Sequence, residues 1–438
     1  MLSVRTVKWL TRTGIVLPVL LAFYFVYKYG IHVPYWDEWE FVTLLEKFHN
    51  HTLTIGDFWA QHSEHRIFFP RLLMLLFAHI SGWNIYYELF FSIIFATISL
   101  CFLFSLLDNT QASKNNSIIK VIISLLIFSM AQYENWSFGW AIQIFMSMTG
   151  VIAAIWSVDK WQGQMRGLII AIFAAIFANY SFGSGILIWP SVLFMLVFQK
   201  KWKLKHIIIW LVTGCATVGS YYYKHTSSSF DTPMMYFLSH PIMFAEYVFG
   251  YLGSPLARSI FSSVFIALVL VIIIILSFLD IRKLDKEQSL RMIPWLAFIV
   301  FAVLSACLTG FGRVGFGVRQ AMTSRYITIS TLFVISAAVL LYNSTILNLK
   351  MNRMPVFKDK LFIVITASIF IITYSISYRH GVKGMIEKQQ QINPALNCFE
   401  NPDSASEENL EILYPNPDVV RQRIKILSEM GIGFAQEK

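Results

Sequence analysis

The chain has 438 residues, of which 56% are hydrophobic and 14% charged, with a mean hydropathy of +0.59. A soluble domain carries about 25% charged residues, so this composition excludes a water-soluble globular protein and indicates a polytopic membrane protein. The net charge of +10 does not mark a nucleic-acid binder, because Lys and Arg are scattered over many short loops. Cys101, Cys215 and Cys307 lie in apolar runs and only Cys398 lies in a polar stretch, which excludes a disulfide framework.

A membrane helix needs roughly 20 apolar residues. In chain order the candidates are 13–31, 85–107, 118–133, 141–158, 167–181, 184–199, 206–223, 259–279, 293–309, 327–343 and 361–378. The expectation is therefore an all-α, polytopic integral membrane protein of about eleven transmembrane helices. The first run follows Arg5, Lys8 and Arg12, is long, and lacks a small-residue cleavage site, so it reads as an uncleaved anchor. The pair 167–181 and 184–199 is short and joined by "SFGSG", which allows a re-entrant hairpin. With the N-terminus inside, the inner segments hold 19 Lys and Arg and the short outer segments nine, which the positive-inside rule favours.

After the first span comes an outer loop containing "PYWDEWEF" and "FWAQHSEHRIFFPR". The stretch 66–80 is apolar but only about 21 Å long as a helix. Counting it as a span would turn every basic loop outward. It is expected to lie in the outer interface, opened by Pro70. At the other end, Asn416 is a candidate N-cap and Pro417 a first helical residue for a helix over 417–430. Val420, Ile424 and Leu427 share one face of it. The chain thus divides into a transmembrane part, 1–378, and a small outer tail, 379–438.

The chemistry-bearing clusters all fall on the outer side. Asp37 and Glu38, with Trp36 and Trp39, sit at the mouth of the first span. His62, Glu64, His65 and Arg66 follow, and then Glu134, Trp136 and Gln143 around "QYENWSFGW". The loop "TGFGRVGFGVRQAMTSRY" carries Arg313, Arg319 and Arg325 with no acid among them. These arginines break the positive-inside pattern, and a guanidinium fork suits a phosphate. They bind a substrate phosphate, or pair with Asp37, Glu38, Glu134 or lipid headgroups; the two roles are compatible. His65 and Arg66 either cap the interfacial helix or hold a headgroup or sugar. The histidine spacing is not H-E-x-x-H. No metal site or cofactor is expected, with a divalent ion at Asp37 and Glu38 the remaining metal reading. Walker A, Rossmann and G-x-S-x-G patterns are absent.

An acid pair after the first helix, interfacial helices in that loop and outer arginines together resemble the GT-C superfamily of integral-membrane glycosyltransferases. The set "DEW…HSEHRIFFPRL…YENWSFGWAIQ…SFGSGILIWP…GRVGFGVRQAMTSRY…LYPNPDVVRQRIKIL" is similar to the bacterial serotype-converting O-antigen glucosyltransferases encoded by temperate phages. The resemblance implies a bacterial inner-membrane enzyme with a periplasmic active site. It implies an undecaprenyl phosphate-glucose donor, delivered by a small flippase after a cytoplasmic-side synthase has made it, and a lipid-linked O-antigen or other envelope glycan as acceptor. Asp37 and Glu38 map to the acid pair, with Asp37 the choice of base. Arg313, Arg319, Arg325, Arg66 and His65 are assigned to the donor phosphate. Trp36, Trp39, His62, Glu64, Glu134, Trp136 and Gln143 are assigned to the sugars. The small tail departs from many GT-C enzymes and favours a glycan over a protein acceptor. A lipid-linked sugar flippase would need an inner entry site, and none is visible. An O-antigen polymerase or ligase shares the outer arginines but does not require the acid pair.

Overall fold

The computed structural model describes residues 4–110, 116–226, 235–350 and 360–434. The inner loop expected over 343–361 and the middle of the outer segment 224–258 lie partly outside them. Among the described residues the architecture is helical, and the sole extended pairing is one bridge between His62 and His65. Each of the eleven expected spans falls on a helix. Among the described residues seven stretches are long and apolar enough to cross a membrane: Arg5–Tyr29, Tyr86–Thr110, Ser117–Ser137, Gly139–Lys160, Ile260–Lys283, Ile293–Phe316 and Ser324–Lys350. The expected pair 167–199 forms two shorter apolar helices, Met165–Asn179 and Gly183–Phe198. Both pack on Gly139–Lys160, and a helix buried among others can be short.

Gly139–Lys160 is the central span and is almost entirely buried. Tyr86–Thr110 and Met165–Asn179 flank it, and the Ser99 and Thr149 hydroxyls lie 2.9 Å apart between two of these helices. Polar side chains lace the ends expected to face inward. Trp295 Nε1 donates to Thr110 Oγ1 at 2.9 Å and Gln288 Nε2 to the Thr110 carbonyl at 2.6 Å. Asp159 accepts from Gln162 at 3.0 Å and Gln199 at 3.2 Å. The basic residues Lys160, Arg282 and Lys283 close these same ends, opposite the outer loops.

The helix expected to lie in the interface is Phe68–Ser81, ended by Gly82 in the left-handed conformation (φ 65°). Met74, Leu75, Phe77 and Ala78 are buried, while Leu72, Leu76 and Ile80 form an exposed apolar stripe at four-residue spacing. That stripe needs an apolar phase beside it, which a bilayer interface supplies.

The boundary expected at 378 falls within one helix, Lys360–Ile392. Beyond it the tail folds back on the first outer loop. Phe399 stacks on Trp39 (5.8 Å between ring centroids) and Phe434 meets Trp83 edge-on at 5.5 Å. In the helix Pro417–Glu429, Asn416 Oδ1 accepts from the Asp418 and Val419 amides. Its Val420, Ile424 and Leu427 are buried, and the helix packs against Phe41–His49. Glu40, at the end of "WDEWE", accepts from the Tyr414 hydroxyl at 3.3 Å and lies 3.5 Å from Arg423.

Candidate active site

"WDEWE" folds as a 3-10 turn, Trp36–Glu40, directly after the first span. With three residues per turn, neighbouring side chains point about 120° apart, so Asp37 and Glu38 face different surroundings. Glu38 turns inward and is 1% exposed. Its carboxyl accepts the Tyr35 amide and the Trp140 amide, each at 2.8 Å. Burial, working against those hydrogen bonds, pushes its pKa up to about 8. A Cβ at Gly139 would stand 2.9 Å from Glu38 Oε1, so only glycine lets this carboxyl seat. Trp36 opens the turn at φ 51°, a conformation costing a bulky residue on the order of 1–3 kcal/mol.

Asp37 turns the other way, its side chain 51% exposed, into a cavity of about 460 Å³. The cavity lies at the helix ends expected to face outward and draws its wall from five separate loops. His62, Glu64, His65, Gln143, Arg313 and Arg325 share it with Asp37. His62 Nε2 is 3.8 Å from Asp37 Oδ2, and the His62 ring packs edge-on against Trp140 at 5.0 Å. Burial opposes ionisation of Asp37, but the His62 imidazole, with Arg325 and His65 further off, outweighs it and holds the carboxyl below its usual range.

His65 is locked to His62 by reciprocal backbone hydrogen bonds of 2.8 Å. Its ring lies 4.7 Å from Phe182. Burial is the main cause of its lowered pKa of about 4, which makes it a neutral imidazole near pH 7. A Cβ at Gly183 would collide with His65 Nδ1, so the "SFGSG" turn can approach this ring only through glycine. Arg313 pairs with Glu64, whose carbonyl accepts from Tyr221 at 3.3 Å. Arg325 lies over the Tyr326 ring, 5.8 Å from its centroid. It has no carboxylate within ion-pair distance among the described residues.

Seven of the expected site residues lie elsewhere, each for a physical reason. The Arg66 guanidinium is spent on three carbonyls, Tyr221 at 2.6 Å, Trp59 at 2.7 Å and Tyr223 at 2.6 Å. It is a clamp on the outer loops rather than a free fork. Arg319, in the 3-10 turn Val318–Met322, is exposed and off the cavity wall. Glu134 caps the arginine loop, accepting from Ser324 Oγ at 2.8 Å and the Arg325 amide at 3.2 Å. Trp39 and Trp136 are core residues, the latter 4.4 Å from Phe145. Trp36 is exposed outside the cavity, and Glu38 is buried beneath it.

The cavity also takes Asn135, Trp140, Tyr221, Tyr222, His225, Tyr251 and Tyr326, which were not singled out. One signal was available: "YYYKH" at the outer end of the 206–223 run is unusually rich in polar aromatics. Among the described residues, no group of three or more His, Cys, Asp and Glu is placed to hold a metal ion.

No protein-family profile matches the chain, and no curated protein matches it by sequence. Solved structures do match it in shape. One is the archaeal oligosaccharyltransferase AglB from Archaeoglobus fulgidus, in complex with an inhibitory peptide and a dolichol-phosphate. It has a TM-score of 0.51 and 15% identity over 90% of this chain and 58% of that one. Another is the Archaeoglobus fulgidus oligosaccharyltransferase with Zn and sulfate, at a TM-score of 0.46 and 13% identity, over 92% of this chain and 57% of that one. The chain therefore spans less than two thirds of the structures it matches. The first match shows that this helical chain, with its candidate membrane spans, shares the overall fold of that membrane protein. It does not reach the serotype-converting group.

Proposed function

We propose that the chain is an inverting hexosyltransferase of the bacterial inner membrane, working at the periplasmic face. It moves a sugar, glucose by the resemblance, from undecaprenyl phosphate to a hydroxyl of a lipid-linked O-antigen or other envelope glycan. The observation that carries this reading is the cavity itself, which holds a half-exposed, ionised Asp37 beside His62 together with Arg313 and Arg325. The solved AglB structure contains dolichol-phosphate, and the donor proposed here is of the same class, a polyprenyl phosphate.

In this reaction Asp37 accepts the proton of the acceptor hydroxyl as its oxygen attacks the anomeric carbon. The bond to the phosphate breaks, and the electron pair leaves with the polyprenyl phosphate. That leaving group is a stable anion and needs no proton, unlike the alcohol in glycoside hydrolysis. Arg325, which has no carboxylate within ion-pair distance among the described residues, and Arg313, which shares Glu64, stabilise the departing charge. A single displacement inverts the anomeric centre. A small flippase and a cytoplasmic-side donor synthase supply the donor.

The test is mass spectrometry of the surface polysaccharide from cells with the wild-type chain, without it, and with Asp37→Asn. A hexose addition seen only with the wild type supports the proposal. An unchanged polysaccharide in all three, or full modification by Asp37→Asn, sinks it.

A further inference from the structure

Two side-chain amides on the cavity wall remain unexplained by phosphate binding or proton transfer. Asn135 is fully buried, in the short helix Tyr133–Ser137, and Gln143 is 6% exposed, in the first turn of the central span. Both line the cavity. Asn135 Oδ1 and Gln143 Oε1 are buried and have no protein hydrogen-bond partner among the described residues. Buried polar atoms are paired in about 90% of cases or more, and leaving one unpaired costs about 1–3 kcal/mol. Two such atoms in residues that line one cavity point to a ligand.

The orientation of Asn135 is not arbitrary. Its Nδ2 donates to the Arg325 carbonyl at 2.9 Å and to Thr328 Oγ1 at 2.7 Å. A carbonyl can only accept, and the Thr328 proton is committed to Gln132 Oε1. The amide therefore cannot flip, and Oδ1 is fixed as an acceptor. A phosphate near pH 7 offers acceptor oxygens, which cannot satisfy it. A sugar hydroxyl can, because it donates one hydrogen bond while accepting others.

We propose that Asn135 and Gln143 form a hexose-hydroxyl subsite, distinct from the arginines that take the phosphate, and that this subsite selects the transferred sugar. The proposal deepens the glycosyltransferase reading and rests on it for the class of ligand. The Asn135 hydrogen bond to the Arg325 carbonyl also ties the subsite to the arginine loop, so sugar and phosphate are read from adjoining stretches of backbone.

The experiment uses the purified full chain in detergent, with glucose, galactose and mannose 1-phosphates and their mono-deoxyfluoro analogues as probes. Fluorine removes the hydroxyl donor at one position and keeps the size. Dissociation constants come from ligand-detected NMR. In the wild type at least one analogue should bind about tenfold more weakly than its parent, since a site built for a hydroxyl rejects its absence. In Gln143→Met that ratio should fall to about threefold or less, with the constant for inorganic phosphate unchanged. Three results would overturn the proposal: no hexose phosphate binds more tightly than inorganic phosphate, every analogue binds like its parent because water serves the amides, or Gln143→Met keeps the full ratio. The wild-type measurements decide the matter even if the variant misfolds. Hydroxyl discrimination without transfer from polyprenyl-phosphate sugar in membranes would refute the enzyme and leave the subsite standing.

Discussion

Replacing Glu38 by Gln separates the two acids of "WDEWE" by their pH response. The Glu38 pKa stands at about 8 against an ordinary 4.5, chiefly through burial. Its folded-state value is raised, so between these limits the folded chain keeps a proton that the unfolded chain has released. Stability is then highest below about pH 4.5, falls as pH rises through the window, and levels off above about pH 8. From about pH 6 to pH 9 the wild type should lose roughly 3 kcal/mol, at 1.36 kcal/mol per pKa unit. At about 2.1 cal/mol/K of unfolding entropy per residue, that is a drop of about 3 °C in Tm for this length.

The glutamine of Glu38→Gln cannot titrate. However, its amide nitrogen must face either the Tyr35 or the Trp140 amide that the carboxyl accepts at 2.8 Å, at a constant cost of about 1–3 kcal/mol. Glu38→Gln should therefore melt below the wild type near pH 6, change little with pH, and converge with it near pH 9. Tryptophan fluorescence of the detergent-solubilised protein during heating reads both curves. A wild-type Tm that is flat over this range, or a variant that declines in parallel, would refute the assignment of Glu38 as a neutral buried carboxyl.

The other expectations concern the cavity and its supports. Asp37→Asn should lower the transfer rate by about 10²–10⁴ at normal membrane levels and unchanged Tm, since the Asp37 side chain is half exposed. Arg325→Lys should reduce transfer more than its conserved charge suggests, because the fork is lost. Arg319→Lys, off the cavity wall, should leave the rate unchanged in the same assay. Arg66→Lys should instead act on stability, since a lysine cannot span the three carbonyls now bound; a Tm equal to wild type would refute that. Gly183→Ala should push His65 aside, because the added Cβ collides with Nδ1, and lower both Tm and activity. A phosphatase fused to the C-terminus should be active, and a signal there from a cytoplasm-only reporter would overturn the outer placement of the tail.

Composition and apolar run length alone determined that this is a helical membrane chain, and each run became a helix because lipid leaves the backbone no other partner than itself. The local cap at Asn416, the apolar face of Val420, Ile424 and Leu427, and the short apolar helix over 66–80 were equally legible. They depend only on residues within a turn or two. Which side chains make the site was not legible at that range. Nothing in "WDEWE" says that Glu38 will be buried under the Trp140 amide about a hundred residues on, or that Trp39 will be covered by Phe399 of the tail. Arg66 and Arg325 look alike in sequence. One is consumed by the carbonyls of Tyr221, Trp59 and Tyr223; the other reaches the cavity with no carboxylate within ion-pair distance of its guanidinium among the described residues. Lipid selects the helices one segment at a time, whereas the cavity exists only where five loops meet. Its burial, charge and unpaired amides are therefore properties of the tertiary structure.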